Sequence, residues 1–207
     1  MIRVAFFVDG FNLFHSIDDL NLPYLKWLNL RKLCTRFIIP KYETIESINY
    51  FTALANWQPE RVERHKIYIR ALESQNVDII HGKFKRKDVT CKICHKTFET
   101  HIEKQTDVNI AINLFKYSVE GRYDKAMIIS GDSDLIPSIK AVKNTFLDKF
   151  VGVIIPINRK AEELKEVCDS FSKISFHHLE SSLFDEVINI PPNIKINCPE
   201  KWKRPKP

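Results

Sequence analysis

The sequence is short of glycine: only five of its 207 residues are glycine, at positions 10, 82, 121, 131 and 152. No two of these glycines are closer together than ten residues. Glycine-rich dinucleotide-binding turns and Walker-type phosphate loops both need glycines a few residues apart. The sequence therefore excludes both kinds of nucleotide-binding loop.

Long apolar runs and an even set of cysteines are also absent. No apolar run approaches the roughly 18 residues that cross a bilayer. The first apolar run meets Asp9 where a signal peptide would still be apolar, which argues against secretion. Five cysteines, an odd number, fit a reducing compartment better than a disulfide framework. We therefore expect a cytoplasmic protein with no membrane partner, and a homo-oligomer remains open.

The composition is that of an ordinary globular protein, 44% hydrophobic and 28% charged, with a net charge of +6. The basic excess is confined to two stretches. Residues 81–104 hold seven lysine and arginine residues against three acidic ones, and residues 193–207 hold five against one. Such stretches fit either a binding surface for a polyanion such as RNA or simply a solvated loop and tail, and charge alone leaves both interpretations open.

Apolar strand patterns alternate with helical patterns along most of the chain. Ile2–Val8 is a continuous apolar run that Asp9 and Gly10 end, which is typical of a strand buried on both faces. The alternation predicts an α/β fold with a parallel sheet covered by helices on both sides, with a last short strand near Ser175–Leu179. We expect one domain over residues 1–190, with a basic, cysteine-containing insertion at 82–104. Residues 191–207 are expected to be a basic, proline-rich tail.

Acidic residues follow two of the apolar strands. Asp9 ends the first strand and is followed by Asn12, while Asp132 and Asp134 follow the strand near residues 126–130. Asp107 lies in the first turn of the helix that precedes this second strand. Because ligands bind at the carboxyl ends of parallel strands, these carboxylates are candidate ligands for Mg²⁺ or Mn²⁺. Such an ion can activate water and stabilise the leaving oxygen of a phosphodiester.

Each of these residues also has a purely structural interpretation. Asp9 alone is typical of a turn after a strand, and Asp134 alone is typical of a helix N-cap. Asp107 alone is typical of an acidic residue in a first helical turn, where it interacts favourably with the helix dipole. The combination at two apolar strand ends favours the metal site. Hydroxyl or amide groups that could orient the carboxylates or a water belong to Asn12, Ser130 and Ser133.

Three stretches resemble the NYN domain family, a PIN-like group of metal-dependent ribonucleases, and within it the bacterial LabA-like branch. They are Phe6–Phe14 (FFVDGFNLF), Glu103–Leu114 (EKQTDVNIAINL) and Tyr123–Pro137 (YDKAMIISGDSDLIP). The resemblance implies a three-layer α/β/α, Rossmann-like (PIN-like) fold around a central, mostly parallel sheet. It also implies metal ligands at Asp9, Asp107, Asp132 and Asp134, and a catalytic site formed by these residues with Asn12.

The leading hypothesis is therefore a metal-dependent endoribonuclease that uses Mg²⁺ or Mn²⁺. A non-catalytic RNA-binding or regulatory module with the same fold is the alternative, since a fold does not establish turnover. A phosphatase with an aspartyl nucleophile is disfavoured, because the haloacid-dehalogenase pattern would place a second Asp where Phe11 stands.

The insertion carries a separate pattern, in which Cys91 and Cys94 have the spacing of half a zinc site. A structural zinc site needs four ligands, and the sequence has no second C-x-x-C pair to complete it. The other candidate ligands nearby are His95 and His101. A tight turn that simply contains two thiols is the favoured interpretation, with zinc as the alternative. The insertion also supplies expected RNA contacts, which together with Ser133 are Lys83, Lys85, Arg86, Lys87 and Lys104.

Overall fold

The computed structural model of the protein describes residues 1–205. Its strands are β1 (Ile2–Asp9), β2 (Glu43–Thr52), β3 (Asp78–His81), β4 (Lys83–Thr90), β5 (Thr97–Lys104), β6 (Lys125–Ile129), β7 (Phe150–Ile155), β8 (Ser170–Lys173), β9 (Val187–Ile190) and β10 (Ile194–Asn197). Its α-helices are α1 (Gly10–Asp18), α2 (Leu30–Thr35), α3 (Pro59–Glu73), α4 (Thr106–Val119), α5 (Ile136–Thr145), α6 (Glu162–Val167) and α7 (Phe176–Glu180).

The N-terminal apolar run forms a central strand of a six-stranded parallel sheet with the order β3-β2-β1-β6-β7-β8. Successive side chains of a strand point to opposite faces, so a continuous apolar run serves two cores. Val4, Phe6 and Val8 pack on one side with α1, α2, α3 and α7. Ala5 and Phe7 pack on the other side with α4, α5 and α6. This confirms the predicted three-layer α/β/α fold around a parallel sheet.

The strand order changes direction at β1. The chain builds β2 and β3 on one side of β1 and then returns to place β6 on the other side. The connections at the carboxyl ends of β1 and β6 therefore diverge, which leaves the crevice where ligands bind in such sheets. Val8 pairs with Ile129, so Asp9 and the turn after β6 meet at this crevice.

The basic insertion forms an antiparallel hairpin, β4–β5, which lies outside the six-stranded sheet. It joins the end of β3 to the start of α4. The hairpin therefore begins and ends beside the carboxyl edge of the sheet, which is the edge that carries Asp9.

The segment after residue 190 differs from the expected tail. β10 pairs with β9, and Ile196 and Cys198 are buried. Trp202 then packs against Trp27 and Tyr68, with ring centroids 6.5 and 6.0 Å apart. The prolines and basic residues dominate this stretch in the sequence, but a few apolar side chains are enough to hold it on the domain. Its last two residues, 206 and 207, lie outside the described part of the chain.

The strand predicted near Ser175–Leu179 is wrong: Ser175 is the N-cap of helix α7, and the residues after it are helical. Ser175 caps the helix: its hydroxyl accepts from the His178 amide (3.2 Å), and its own amide donates to the His178 ring (3.2 Å). This reciprocal pair is a capping box, which favours a helix start. The edge strand β8 lies a few residues earlier.

Two further features concern compartment and membrane. All five cysteines are free. Within residues 1–205, none of the helices combines the length and the apolar character that a membrane crossing needs.

An ion pair ties the start of β1 to the residue before β6, and we expect its loss to lower stability. Three Arg3 groups donate to the Asp124 carboxylate: the amide (2.8 Å), Nε (3.2 Å) and Nη2 (2.8 Å). These hydrogen bonds lower the pKa of Asp124 to about 2. A lowered folded-state pKa stabilises the protein above the unfolded value near 4, and this contribution is lost as the pH falls toward about 2.

Asp124→Asn should therefore lower Tm at pH 7 by about 2–4 °C, with a smaller difference at pH 3. Thermal unfolding followed by circular dichroism measures this, with the exposed Asp78→Asn as the matched control. An equal change in Tm at both pH values would contradict the role of this ion pair.

Candidate metal centre at the carboxyl edge of the sheet

Asp9 is the most buried acidic group of the site, with 4% of its surface exposed. It ends β1 and caps α1. One carboxylate oxygen accepts from the backbone amide of Asn12 (3.0 Å), and the other accepts from the Ser130 hydroxyl (2.8 Å). The helix begins directly after the strand because residue 10 is glycine. A Cβ there would lie against the Phe51 carbonyl oxygen. This close approach fixes where the Asp9 carboxylate lies.

The turn after β6 is held by hydrogen bonds to the same elements. The Gly131 amide donates to Asn12 Oδ1 (3.0 Å), and the Asp132 amide donates to the Ser130 hydroxyl oxygen (3.1 Å). The Asp134 amide in turn donates to Asp132 Oδ1 (3.0 Å). Asn12 and Ser130 therefore connect the ends of β1 and β6 and keep Asp132 near Asp9.

Asp107 completes the cluster from a third element, the first turn of α4. Carboxylate oxygens of Asp9, Asp107 and Asp132 all lie within 4.8 Å of one another. Asp134 does not belong to this group; it is exposed at the rim, although its charge still acts on Asp107. The structure thus brings together three of the four expected aspartates and places the fourth beside them.

The cluster is electrostatically strained. Burial raises the pKa of Asp107 to about 6, helped by the negative charges of neighbouring carboxylates. Burial also raises the pKa of Asp9, although its hydrogen bonds from Asn12 and Ser130 lower it in part. Within residues 1–205, none of the four aspartates forms an ion pair with a basic side chain. A divalent cation would supply the missing positive charge.

Glu103 is an acidic neighbour that the sequence reasoning did not assign to the site. It lies near the end of β5, and its carboxylate accepts from the Thr106 amide (3.1 Å) and the Thr106 hydroxyl. Its charge contributes to the raised pKa values of Asp9 and Asp107. Its place in the sequence, just before the start of a predicted helix, indicates a side chain that accepts hydrogen bonds from the free amides of the first helical turn.

Arg159 is a second neighbour that the sequence reasoning missed. It follows β7, and its Cβ lies 3.2 Å from where a Cβ on Gly131 would be. Its guanidinium pairs with Asp19 (2.7 Å). No sequence pattern links residue 159 to the acidic motifs, because the contact arises from two loops at the same sheet edge.

The expected RNA contacts on the hairpin lie on two different faces. Cross-strand partners share a face, and the pairing Lys83↔Lys104 places these lysines together. By alternation, Lys85 and Lys87 share their side, and all four are exposed. Arg86 faces the other way and pairs with Glu99 (2.9 Å). Ser133 is exposed in the turn between Asp132 and Asp134.

The cysteine pair lies at the tip of the hairpin. Hydrogen bonds from the backbone around Cys94 lower the pKa of Cys91. Within residues 1–205, no third metal ligand joins these two thiols: no histidine, further cysteine or acidic side chain lies at metal-binding distance from both. His101 stacks on Trp57 and lies near Glu99 instead (3.5 Å). The described residues of one chain therefore do not assemble four zinc ligands.

Fold and site together define an α/β protein with a carboxylate cluster at the switch point of a parallel sheet. The chain belongs to the NYN domain family, whose model, described as NYN domain, matches residues 3–176. This confirms the resemblance at the level of the family, and the LabA-like branch stays a prediction. The family suggests a PIN-like nuclease, and the buried aspartate cluster is compatible with that class.

Two individual proteins are similar to the chain. One is 6-hydroxy-3-succinoylpyridine 3-monooxygenase HspA from Pseudomonas putida, 24% identical over 214 residues, which cover 87% of this chain and 68% of that protein. The other is a crystal structure of a protein of unknown function from Vibrio parahaemolyticus, with a TM-score of 0.56 and 16% identity. That match covers 88% of this chain and 96% of the other, and it supports the fold alone.

We expect Asp107→Asn to stabilise the metal-free protein at neutral pH. A carboxyl group whose pKa is raised on folding favours the folded state at low pH, and this contribution is lost as the pH rises from about 4 to about 6. Removing the charge should raise the free energy of unfolding at pH 7.5 by on the order of 1 kcal/mol, allowing for solvent screening of a half-buried group. Urea unfolding in EDTA measures the change.

At pH 4.5 the same substitution should have a smaller effect, because the wild-type carboxyl group is then protonated in the folded state. Asp78→Asn serves as the control at both pH values. A loss of stability at pH 7.5 in EDTA would show that Asp107 is not strained by its neighbours.

Proposed function

We propose that the protein is a metal-dependent ribonuclease that hydrolyses RNA phosphodiester bonds with Mg²⁺ or Mn²⁺. The observation that carries this proposal is the convergence of Asp9, Asp107 and Asp132 from three separate elements to within 4.8 Å. Asp134 belongs to the same proposal as a rim ligand. The NYN family supports a nuclease, and we extend it here to a metal-bound catalytic site.

The donor set fits a hard divalent cation. All candidate ligands are carboxylate oxygens, which Mg²⁺ and Mn²⁺ prefer over softer donors. The raised pKa values of Asp9 and Asp107 show that the carboxylates disfavour their own charges when no cation is present. We therefore infer that binding the ion relieves a cost already present in the folded protein.

The residues around the cluster have separate tasks in this proposal. Asn12 and Ser130 hold the Asp9 carboxylate through its two oxygens, so that it cannot turn away from the site. Asp107 and Asp132 are less buried than Asp9 and would face the substrate. When bound, the divalent ion activates a water for attack on phosphorus and stabilises the leaving oxygen. No side chain of the protein needs to act as a nucleophile.

RNA is the proposed substrate because a basic hairpin begins and ends at the edge of the sheet that carries the acidic cluster. Lys83, Lys85, Lys87 and Lys104 form one exposed face of the hairpin, which would hold backbone phosphates. The acidic cluster repels a polyanion unless a cation is bound, so metal and substrate should bind together. Homo-oligomer formation and a cytoplasmic location stay predictions.

A second candidate function comes from the similarity to the Pseudomonas monooxygenase. That relative is 24% identical, and its name specifies oxidation of a substituted pyridine. The glycine spacing of the present chain provides no glycine-rich turn for a dinucleotide, so a dinucleotide cofactor would need a different binding site. Oxidation of 6-hydroxy-3-succinoylpyridine, in place of RNA cleavage, would support this second candidate.

Asp132→Asn tests the ribonuclease directly. It removes a charge from the cluster without changing the size of the side chain, so RNA binding should persist while Mn²⁺-stimulated cleavage falls at least 100-fold, a loss of about 3 kcal/mol of transition-state stabilisation. Gel analysis of labelled single-stranded and structured RNA in Mg²⁺, Mn²⁺ or EDTA measures both properties. Asp78→Asn, which changes an exposed aspartate at the start of β3, is the matched control.

Undiminished cleavage by Asp132→Asn would overturn the proposed site. Binding of RNA by the wild-type protein without cleavage under either ion would instead favour the non-catalytic RNA-binding alternative. In that case binding should fall steeply with salt, because phosphate contacts release counterions.

A further inference from the structure

We propose that an aromatic surface beside the acidic cluster holds an unpaired base of single-stranded RNA next to the bond that is cleaved. This aromatic surface consists of Phe11, Trp57, Phe84 and His101. The proposal rests on the proposed ribonuclease function and adds a binding subsite to it. It also implies a preference for single strands over duplexes.

The four rings form a continuous set of contacts outside both apolar cores. Phe84 on β4 lies edge-on to Phe11, with ring centroids 5.3 Å apart, and edge-on to Trp57 at 4.7 Å. Trp57 stacks on His101 of β5, with ring centroids 3.7 Å apart and planes 10° from parallel. None of these side chains belongs to the buried clusters on either side of the sheet.

Trp57 keeps 38% of its surface exposed and is one of the exposed large hydrophobic residues of the chain. His101 stacks on the indole, and we infer that the part of Trp57 that stays exposed contacts the base. A tryptophan held by a stacked neighbour and an edge-on phenylalanine is already oriented, so less entropy is lost when a base stacks on it. Such oriented aromatic groups are how proteins bind single-stranded nucleic acid.

A cavity of about 280 Å³ adjoins these rings and has polar groups suited to a nucleotide. Trp57 and Phe84 supply its aromatic wall, while Asn56 and His81 supply groups able to hydrogen-bond a base edge. Lys83 also lines the cavity, although its side chain lies on the opposite face of the hairpin from Phe84. The lining thus combines a flat apolar wall with polar residues.

The cavity lies next to the metal cluster. Gly82 lines it, and a Cβ on Gly82 would lie 2.8 Å from Thr106 Oγ1 and 3.1 Å from Glu103 Oε1. Thr106 directly precedes Asp107. His81 is on β3, two strands from Asp9 on β1, which corresponds to about 10 Å at the spacing of paired strands. A base in the cavity would therefore belong to a nucleotide close to the cleaved phosphodiester.

The two hairpin faces fit one single strand better than a duplex. The aromatic face, with Phe84 and His101, meets a base, whereas the lysine face is available to the phosphates that continue past it. Bases in a duplex are stacked on one another and paired, so their faces are not free for Trp57. The aromatic surface should consequently discriminate strand state, while the lysines should not.

The experiment uses the full chain carrying Asp132→Asn, so that RNA remains intact during binding measurements in Mn²⁺. The probes are a fluorescein-labelled single-stranded RNA of mixed sequence and the same strand annealed to its complement. Adding Trp57→Leu should weaken binding of the single strand about tenfold and change duplex binding by less than twofold. Trp57→Phe, which keeps a ring, should recover most of the affinity.

Phe171→Leu is the matched control, because Phe171 is an exposed aromatic residue on β8 at the far edge of the sheet. It should leave binding of both probes unchanged. Thermal unfolding of each variant checks that the fold is retained, and Trp57→Phe keeps the test valid even where Trp57→Leu is destabilised.

Unchanged single-strand affinity in Trp57→Leu would overturn the base contact, and wild-type cleavage of the same RNA would leave the ribonuclease proposal standing. Equal losses of affinity for single strand and duplex would also overturn it, since the contact would then not involve an unpaired base. If the wild-type protein neither binds nor cleaves RNA in Mn²⁺, both proposals fail together.

Discussion

The rest of this site depends on one constraint: three carboxylates lie within 4.8 Å of one another, where burial and mutual repulsion both disfavour their charges. Isolated charges of one sign at the end of a buried sheet raise the free energy of the folded state. The fold offsets part of this cost with donors aimed at one member: the Asn12 amide and the Ser130 hydroxyl bind the two oxygens of Asp9. The remaining cost is carried by Asp107 and gives the site its affinity for a cation in our proposal.

The strand order explains why these charges meet. Because β1 and β6 are neighbours whose connections leave in opposite directions, their carboxyl ends border an open crevice instead of a packed loop. The hairpin β4–β5 starts and ends at the same edge and brings positive charge and aromatic rings to it. Alternation along its two strands places Lys83, Lys85, Lys87 and Lys104 on one face, and Phe84, Arg86 and His101 on the other.

Several parts of this arrangement follow from local sequence. A continuous apolar run needs two buried faces, so Ile2–Val8 predicted an interior parallel strand, and Asp9 and Asp132 were recognisable because each follows such a strand. The tail expected at residues 191–207 differs from the structure, because long-range contacts hold this segment on the domain. Its local composition is basic and rich in proline, yet Ile196 and Trp202 find partners far away in the sequence, and composition carries no information about those contacts.

By itself, the sequence determined the α/β/α class, the family and the candidate acidic residues, because periodicity and short motifs are local properties. Only the tertiary structure decided that Asp134 lies outside the group of three, that Glu103 and Arg159 lie beside it, and that Arg86 faces away from the lysines. It alone also placed Trp57 against His101, 44 residues further along the chain. The physical reason is that strand order and pairing register set these distances, and neither is encoded in any single stretch of residues.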